Sequence, residues 1–528
     1  MNPHPRKIDG RDEFSNGGIN VISWSPRDVA ALVFCIMLFA APTLGAEEEP
    51  ALLDILLENG SITQEQYDTL SDKDTPSGDG LGRSTLDEPL PPVSAAQSAE
   101  TKNRSGAKEE DDGLADRIAR AVAKKVEKEF PIKASYGSKG FRLETRDGNW
   151  QTNLQWRFQF RLTYPTSGDP RQVDDFASQE KTTFQARRLR MKIGGHGYRP
   201  WLKYYFEVDL QPTRSSSDSS SKASARVIDW RVDVARFKQM ALRVGQWKID
   251  YNRERVDSSG RQQFVERSIV NRIFTIDRQV GVSLRGHLFE NTHADMRYFL
   301  GVFTGEGRGV ANDDNNMMVA GRLQWNFLGR DLALRQTDVE RTEKPTASLA
   351  FGAAMHTGKC TRWSSSGCGH LDGFANPNDS VAANRAAQGQ YRIYQAVEEL
   401  AFKWQGFSFQ QELHWKRILD RSMNTSNALY ETNLYGGYVQ AGYFFNEIID
   451  CVPEELEIAF RYAMVREPNE TMLLKKNTRQ EFTGGVNWFF AGHNNKLTLD
   501  YSYLTLDDDV MARNVQDNRV RLQWDVSF

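Results

Sequence analysis

The chain has 528 residues, 67 Lys+Arg against 70 Asp+Glu, and a formal net charge of −3. Hydrophobic residues make up 39% and mean hydropathy is −0.60, which excludes a bundle of membrane helices, each of which needs about 20 consecutive apolar residues. A membrane β-barrel is not excluded, because its strands alternate apolar and polar side chains and average to hydrophilic.

Val29 to Ala41 is the one apolar run. It is too short to span a bilayer and suits the core of a signal peptide. Arg27 precedes it, small residues close it at 43–46, and Glu47 to Glu49 follow. Residues 1–46 therefore read as a signal peptide cleaved near Gly45 or Ala46; the long lead ahead of Arg27 leaves room for a start codon further downstream. The alternative is an uncleaved anchor. Cys35 lies inside the apolar core and has no lipoprotein-type context.

Residues 47–130 hold 20 acidic and 10 basic side chains, whereas 131–528 hold 46 acidic and 53 basic. The acidic part divides in three. Residues 47–70 show two short helical patterns broken at Asn59-Gly60, with Ser61 and Thr63 as caps. Residues 71–112 are rich in Ser, Asp, Gly, Pro and Glu and read as a disordered linker. In 113–130, Leu114, Ile118, Ala121, Val122 and Val126 fall at three- and four-residue spacing. That predicts an amphipathic helix, either a short coiled coil that oligomerises or a lone solvated helix.

From about Lys133 the period becomes two. In NLQWRFQFRLTY (153–164), Leu154, Trp156, Phe158, Phe160, Leu162 and Tyr164 share one face, and Arg157 and Arg161 lie on the other. The pattern recurs at 319–327, 407–416, 456–464 and 496–503, and at the C-terminus with Val520, Leu522, Trp524, Val526 and Phe528. Turn clusters intervene at 215–221, 312–316, 367–380 and 507–509. A soluble sandwich also alternates, but three features favour a transmembrane antiparallel barrel over 131–528. The apolar faces are rich in aromatics, the segments run about 9–12 residues, and charges stay off the apolar face. The chain also ends on a strand closing in Phe528, similar to the strands that bacterial outer-membrane barrels offer their insertion machinery. At roughly 25 residues per strand and connection, the region yields about 16 strands, enough to enclose an aqueous channel.

If the apolar face meets lipid, the other lines water. Its candidates are Arg157, Arg161, Arg190, Lys192, Arg231, Arg243, Arg285, Arg297, Arg322, Lys403, Lys416, Arg461 and Arg521, with Asp229, Asp233, Glu412, Glu457, Asp500 and Asp525 among them. A positive excess in a pore favours anions, and Arg suits phosphate because its planar fork donates two parallel hydrogen bonds. Any single Arg can equally brace the wall through a salt bridge. Residues 251–279 break the alternation and carry Arg253, Arg255, Arg261, Arg267, Arg272 and Arg278. This predicts a long loop folded into the lumen, setting its narrowest point. Cys360 and Cys368, in a Gly/Ser-rich stretch, read as a loop-stapling disulfide, the rival being a metal site with His370. Cys451 is left unpaired.

Three stretches carry a resemblance. They are FQARRLR (184–190) leading to Gly194-Gly195 and an aromatic strand with Asp209; VGQWK (244–248) running into 252–267 with Glu254, Ser258-Ser259 and Glu266-Arg267; and RQVGVSLRG (278–286). Together they resemble the phosphate-selective porin O and P family of bacterial outer membranes, over about 136–528. The piece at 52–70 also looks like a leader found on some members. The resemblance implies a homotrimer of 16-stranded barrels in the outer membrane of a Gram-negative cell, each with its own pore and with the N-terminal region in the periplasm. It also implies an arginine ladder and a lysine ring that bind phosphate, pyrophosphate or polyphosphate. Arg187 and Arg188 match an arginine pair of that ladder, and 251–267 match the constriction loop. The chain departs where phosphate-specific members place a lysine after the paired serines: here stand Gly260-Arg261. The expected anion-binding and pore-lining set is Arg187, Arg188, Arg190, Arg253, Arg255, Arg261, Arg267, Arg157, Arg161 and Arg285. The expected function is an anion-preferring channel for phosphate-like oxyanions, or alternatively a general, weakly selective porin. No HExxH, GxSxG, CxxC or phosphate-loop motif occurs, so no catalytic residue, metal, cofactor or nucleic-acid partner is expected.

Overall fold

The computed structural model describes residues 132–528 apart from 166–169, 177–181, 211–224, 313, 365–366 and 470–473. The expected signal peptide, helical pair, linker and amphipathic helix lie outside the described residues, as does the turn cluster at 215–221. A hairpin opens the described chain, β1 (Ile132–Gly137) and β2 (Gly140–Thr145). The wall follows: β3 (Gln151–Tyr164), β4 (Thr183–His196), β5 (Leu202–Asp209), β6 (Arg226–Val234), β7 (Ala241–Lys248), β8 (Arg278–Leu288), β9 (Met296–Phe303), β10 (Met318–Trp325) and β11 (Thr346–Gly358). After the small hairpin β12 (Arg362–Ser364) and β13 (Gly367–Gly369) come β14 (Tyr391–Trp404), β15 (Phe407–Asp420), β16 (Glu431–Tyr443), β17 (Leu456–Pro468), β18 (Lys476–Phe489), β19 (Asn495–Asp508) and β20 (Arg513–Ser527).

Each wall strand pairs antiparallel with its neighbour in sequence, and β20 returns to β3, setting Trp524 opposite Phe160 and Ser527 opposite Arg157. The result is a closed barrel of 16 strands, as the length arithmetic predicts. Closure leaves no unpaired edge in the wall, which is what lets strands cross a membrane. The β1–β2 hairpin continues the sheet beside the start of β3, with Phe141 opposite Leu154. At one end the connections are two to seven residues long except for 326–345 and 444–455; at the other they are mostly longer.

The alternation holds strand by strand. In β15, Ser408, Gln410, Glu412, His414 and Lys416 are buried inside, while Phe407, Phe409, Leu413 and Trp415 face out. Three details differ from expectation. Wall strands run from 8 to 15 residues, because β5, β7, β9 and β10 are shorter than the expected segments and β14 to β20 longer. Part of the 367–380 turn cluster is strand β13, and β19 runs on to Asp508. The outward face is not free of charge either: Arg417, Glu431 and Arg466 lie on it near the strand ends, and Glu398 lies on it at mid-strand.

The apolar core sits inside the lumen rather than between layers. Trp247, Tyr251, Ile273, Phe274, Phe303, Trp363 and Tyr391 form one cluster, each almost fully buried. Side chains of this size each contribute about 1.5–3 kcal/mol on burial. The cluster joins loop residues 249–277, the β12–β13 hairpin and the inner face of β9 to β17. Cys360 and Cys368 are disulfide-bonded and staple that hairpin; Cys451 is a free, exposed thiol.

Candidate functional site

Residues 249–277 connect β7 to β8 and fold back into the lumen, carrying two single-turn helices, α1 (Arg253–Val256) and α2 (Val270–Phe274). A segment crossing a lumen cannot join a sheet ladder, so its backbone needs other partners. Here acids of the far wall accept its amides. Arg253 N–H donates to Glu399 (3.1 Å), Glu254 N–H to Glu412 (2.6 Å), Val265 N–H to Asp500 (2.9 Å) and Ile269 N–H to Glu481 (2.9 Å). The Gln263 side chain donates to Glu457 (2.7 Å). Burial, and after it the neighbouring Glu412 carboxylate, push the Glu254 carboxyl up to about 7.

A second segment supports the loop from the short-turn end. The 326–345 connection reaches inward, and its Gln336 lies at the contact. Gln336 Oε1 accepts from Gln263 N–H (2.7 Å) and its amide donates to Gln262 (2.9 Å). Ala333 C=O accepts from Arg253 (2.5 Å), and Lys403 donates to Thr337 C=O (2.5 Å). Sequence reasoning missed this segment. Its signal was the 18-residue gap between the alternating stretch ending near Phe327 and the next strand, β11.

Two larger cavities lie against β3 to β8, on two sides of the loop, and a smaller one of about 110 Å³ lies between the 326–345 connection, Lys403 and His493. Toward the long-loop end is a cavity of about 200 Å³ lined by Arg187, Arg188, Arg190, Arg226, Lys248, Arg255, Arg267, Arg278 and Arg308, with Asp209 as its single carboxylate and Ser259. Toward the short-turn end is one of about 510 Å³. It holds Lys139, Arg157, Lys192, Lys203, Arg231, Arg243, Lys248 and Arg261, with four carboxylates, Glu207, Asp229, Asp233 and Asp250. Lys248 lines both cavities. Its Nζ donates to Arg255 and Asp257 carbonyls (3.3 and 3.2 Å).

The expected arginines fall into distinct settings. Arg161, Arg187 and Arg188 converge on one loop carboxylate, Glu266, at 2.8, 3.3 and 3.6 Å. Arg187 and Arg188 are consecutive, so strict alternation would send one outward. A β-bulge in β4, opposite Gln159 and Phe160, makes Arg187 the extra residue, so both side chains reach Glu266. Arg190 is held by Glu207 (2.9 Å) and Asp209 (3.2 Å), and Arg255 by Asp277 (2.5 Å). Arg267 donates to the Glu254 and Asp257 carbonyls (2.8 and 2.7 Å) and so fixes the loop's own shape. Arg253 points away from both cavities to Ala333, and Arg285 pairs with Asp250. Arg157 donates to the Ser258 hydroxyl (2.6 Å) and, among the described residues, meets no carboxylate within ion-pair range. Gly260 packs on it: a Cβ there would lie 2.7 Å from the Arg157 guanidinium carbon.

Among the described residues, Arg261, Arg226 and Arg308 have no ion-pair partner, and Lys248 and Lys192 meet only neutral acceptors. Lys139, Lys203, Arg226 and Arg308 were not singled out from sequence. Arg226 opens β6 and Arg308 lies within the connection from β9 to β10, where periodicity gives no direction. The lysines that line the larger cavity come from β4, β5, β7 and the β1–β2 turn, not from the loop position that follows the paired serines.

The family model for phosphate-selective porin O and P matches residues 158–528. No curated protein matches the chain. Among solved structures, a loop-deletion mutant of OmpT, an outer membrane protein of Vibrio cholerae, is 10% identical with a TM-score of 0.47, covering 72% of this chain and 100% of its own. The outer membrane channel DcaP of Acinetobacter baumannii is 13% identical with a TM-score of 0.44, covering 73% and 99%. An anion-selective porin from Comamonas acidovorans is 10% identical with a TM-score of 0.44, covering 71% and 99%.

Proposed function

This chain belongs to the phosphate-selective porin O and P family, and from that premise we propose that its outer-membrane channel prefers anions and passes phosphate-like oxyanions, including pyrophosphate and polyphosphate. The observation that carries the reading is a segregation of charge. Glu399, Glu412, Glu457, Glu481 and Asp500 are spent on holding the loop. The open path is left with nine cationic side chains against one carboxylate in its outer cavity. Cationic linings favour anions, and in a confined cavity the attraction is screened less than at a free surface.

The route would run from the outer cavity past Lys248 to the inner one. Arg226, Arg308, Arg261 and Lys248 offer donors that no carboxylate among the described residues occupies. Arg187, Arg188 and Arg190 share theirs with Glu266, Glu207 and Asp209. That sharing favours the second reading, a general porin in which the ladder arginines shape the field and hold no oxyanion tightly.

Single-channel current in planar bilayers separates the two. Chloride current is recorded while phosphate, pyrophosphate and longer polyphosphate are titrated. Sub-millimolar block, weakened by Arg187→Ala, Arg188→Ala or Arg261→Ala, supports an oxyanion site. Anion-selective current without block leaves the general porin, and cation selectivity sinks both. As in the family pattern, we place the protein as a homotrimer in the outer membrane, with its N-terminal region in the periplasm and Phe528 presented to the insertion machinery. The long-loop end then faces outward.

A further inference from the structure

Nearly every Arg and Lys of the wall points into the lumen, and the exceptions gather in one place. Among the described residues, the wall strands turn Arg392 of β14, Arg417 of β15, Arg466 of β17 and Lys476 of β18 outward, and no other Arg or Lys. All four lie at the long-loop ends of these strands. Arg417 stands ten residues above Phe407 on β15, and Arg466 ten above Leu456 on β17. At ~3.3 Å per residue and a tilt of about 40°, ten residues rise roughly 25 Å, the height of the apolar band. The cations therefore sit at its upper rim, the level of lipid headgroups.

Their neighbours leave these cations available. Arg417 pairs with Glu431, and Arg466 with Asp509 at 3.6 Å, and all four side chains are more than a third exposed. Pairs so exposed contribute little, so either guanidinium can exchange its acid for another anion. Asp507 of β19 is the other outward carboxylate at this end. The Lys476 ammonium donates to Asn433 C=O (2.6 Å) and Arg392 Nε to the Thr357 hydroxyl (3.2 Å), both neutral acceptors. Strand pairing brings three of the cations together: Arg417 is opposite Asn433, whose carbonyl Lys476 reaches, and Arg466 is opposite Tyr435. Directly below, the outer surface is hollowed into a groove of about 430 Å³, floored by Gly437 and edged by Leu413, Tyr435, Val439, Tyr462 and Met464. A second groove, of about 860 Å³, begins below Arg392 at Met355 and Tyr394.

We propose that a phosphorylated, acylated lipid of the membrane's outer leaflet docks on β14 to β18, with its phosphate on Arg417, Arg466 and Lys476 and an acyl chain in the groove beneath them. The inference rests on the outer-membrane placement with the long-loop end outward. A guanidinium presents a planar fork that matches phosphate oxygens, and the ammonium adds a compact third charge. Basic side chains at headgroup level attract anionic lipid. The groove decides between a lipid and free phosphate. Inorganic phosphate would use the cations alone, whereas a lipid uses cations and groove together, and here the two are stacked along the same strands.

The test uses the full-length protein in mild detergent, with dioleoylphosphatidic acid as the probe and native mass spectrometry as the readout. Phosphatidic acid should stay bound to the chain, and dioleoylphosphatidylcholine, whose phosphate is masked by choline, should not. Arg417→Gln, Arg466→Gln and Lys476→Gln together should weaken retention by about tenfold or more, because the bonds lost are to a charged group. Arg417→Lys with Arg466→Lys keeps the charge and should weaken it less. Val439→Trp, which fills the groove and leaves the cations in place, should also weaken it. Strand circular dichroism checks that each variant keeps its barrel. Equal retention of the two lipids, or full retention by the Gln variant, would overturn the lipid site. Inorganic phosphate that displaces the lipid, with Val439→Trp binding as well as wild type, would make it a site for free phosphate. A second copy of the chain held there in place of lipid would make it a subunit contact. Each of these outcomes overturns the lipid and leaves the membrane placement standing. A chain that does not insert into vesicles of the same lipids would overturn the placement itself.

Discussion

Arg261 is the residue whose state says most about the pore. Its guanidinium lines the inner cavity with no ion-pair partner among the described residues, whereas Arg161, Arg187 and Arg188 divide one Glu266 among them. A free donor can meet a passing oxyanion at no cost to an existing bond. Hydrogen bonds to charged groups contribute about 1.5–3 kcal/mol, so Arg261→Ala should weaken oxyanion block by roughly 10- to 100-fold, read from the blocking concentration in single-channel traces. Glu266→Gln tests the shared trio from the other side. Removing the carboxylate frees three guanidiniums, so block should tighten; unchanged block would mean that these arginines never meet the solute. The inward side of Arg157 and Arg161 was legible from alternation. That of Arg187 was not, because a bulge suspends the period of two. The sequence also shows acids and bases mixed on one face, and cannot show that the acids on β14 to β19 are consumed by a loop more than 100 residues upstream.

The lumen loop was legible as a break in periodicity, and its support at 326–345 was not, since a segment held by side-chain amides has no period to read. Gln336 holds Gln262 and Gln263 together. Gln336→Ala leaves two buried partners unsatisfied, at about 1–3 kcal/mol each, and should appear as flickering between conductance levels without loss of the barrel. Unaltered open-channel noise would count against the support role. The Glu254 anchor adds a pH dependence. Around it stand Glu412 and His414 from β15, Arg461 from β17 and the loop's own Arg267 and Ser268. A carboxyl raised to about 7 contributes to loop stability fully below the ordinary carboxylate range, and that contribution is lost as pH rises through about 7. Flicker should therefore grow between pH 6 and 8, and Glu254→Gln should remove the dependence.

At the scale of the whole molecule, the two cavities inside the 16-stranded wall, and with them the proposed path, lie against β3 to β8, because the core cluster and two inward segments occupy much of the other side. Strand number was legible from length, and the eccentric path was not, because it depends on which wall the loop is tied to. Two origins of anion preference make opposite forecasts for this geometry. If the preference arises from charge around the mouths, salt removes it, since the Debye length falls from about 10 Å at 0.1 M to about 3 Å at 1 M. If it arises where Lys248 lines both cavities, of about 200 and 510 Å³, a permeating ion has no room to keep a screening atmosphere between itself and the wall. The anion-to-cation permeability ratio, measured from reversal potentials across KCl gradients, should then change less than about twofold from 0.1 to 1 M. The conductance should also lie well below that of an unobstructed barrel of the same strand number. A ratio that collapses toward unity at 1 M would move the selectivity to the mouths and leave Lys248 a structural joint.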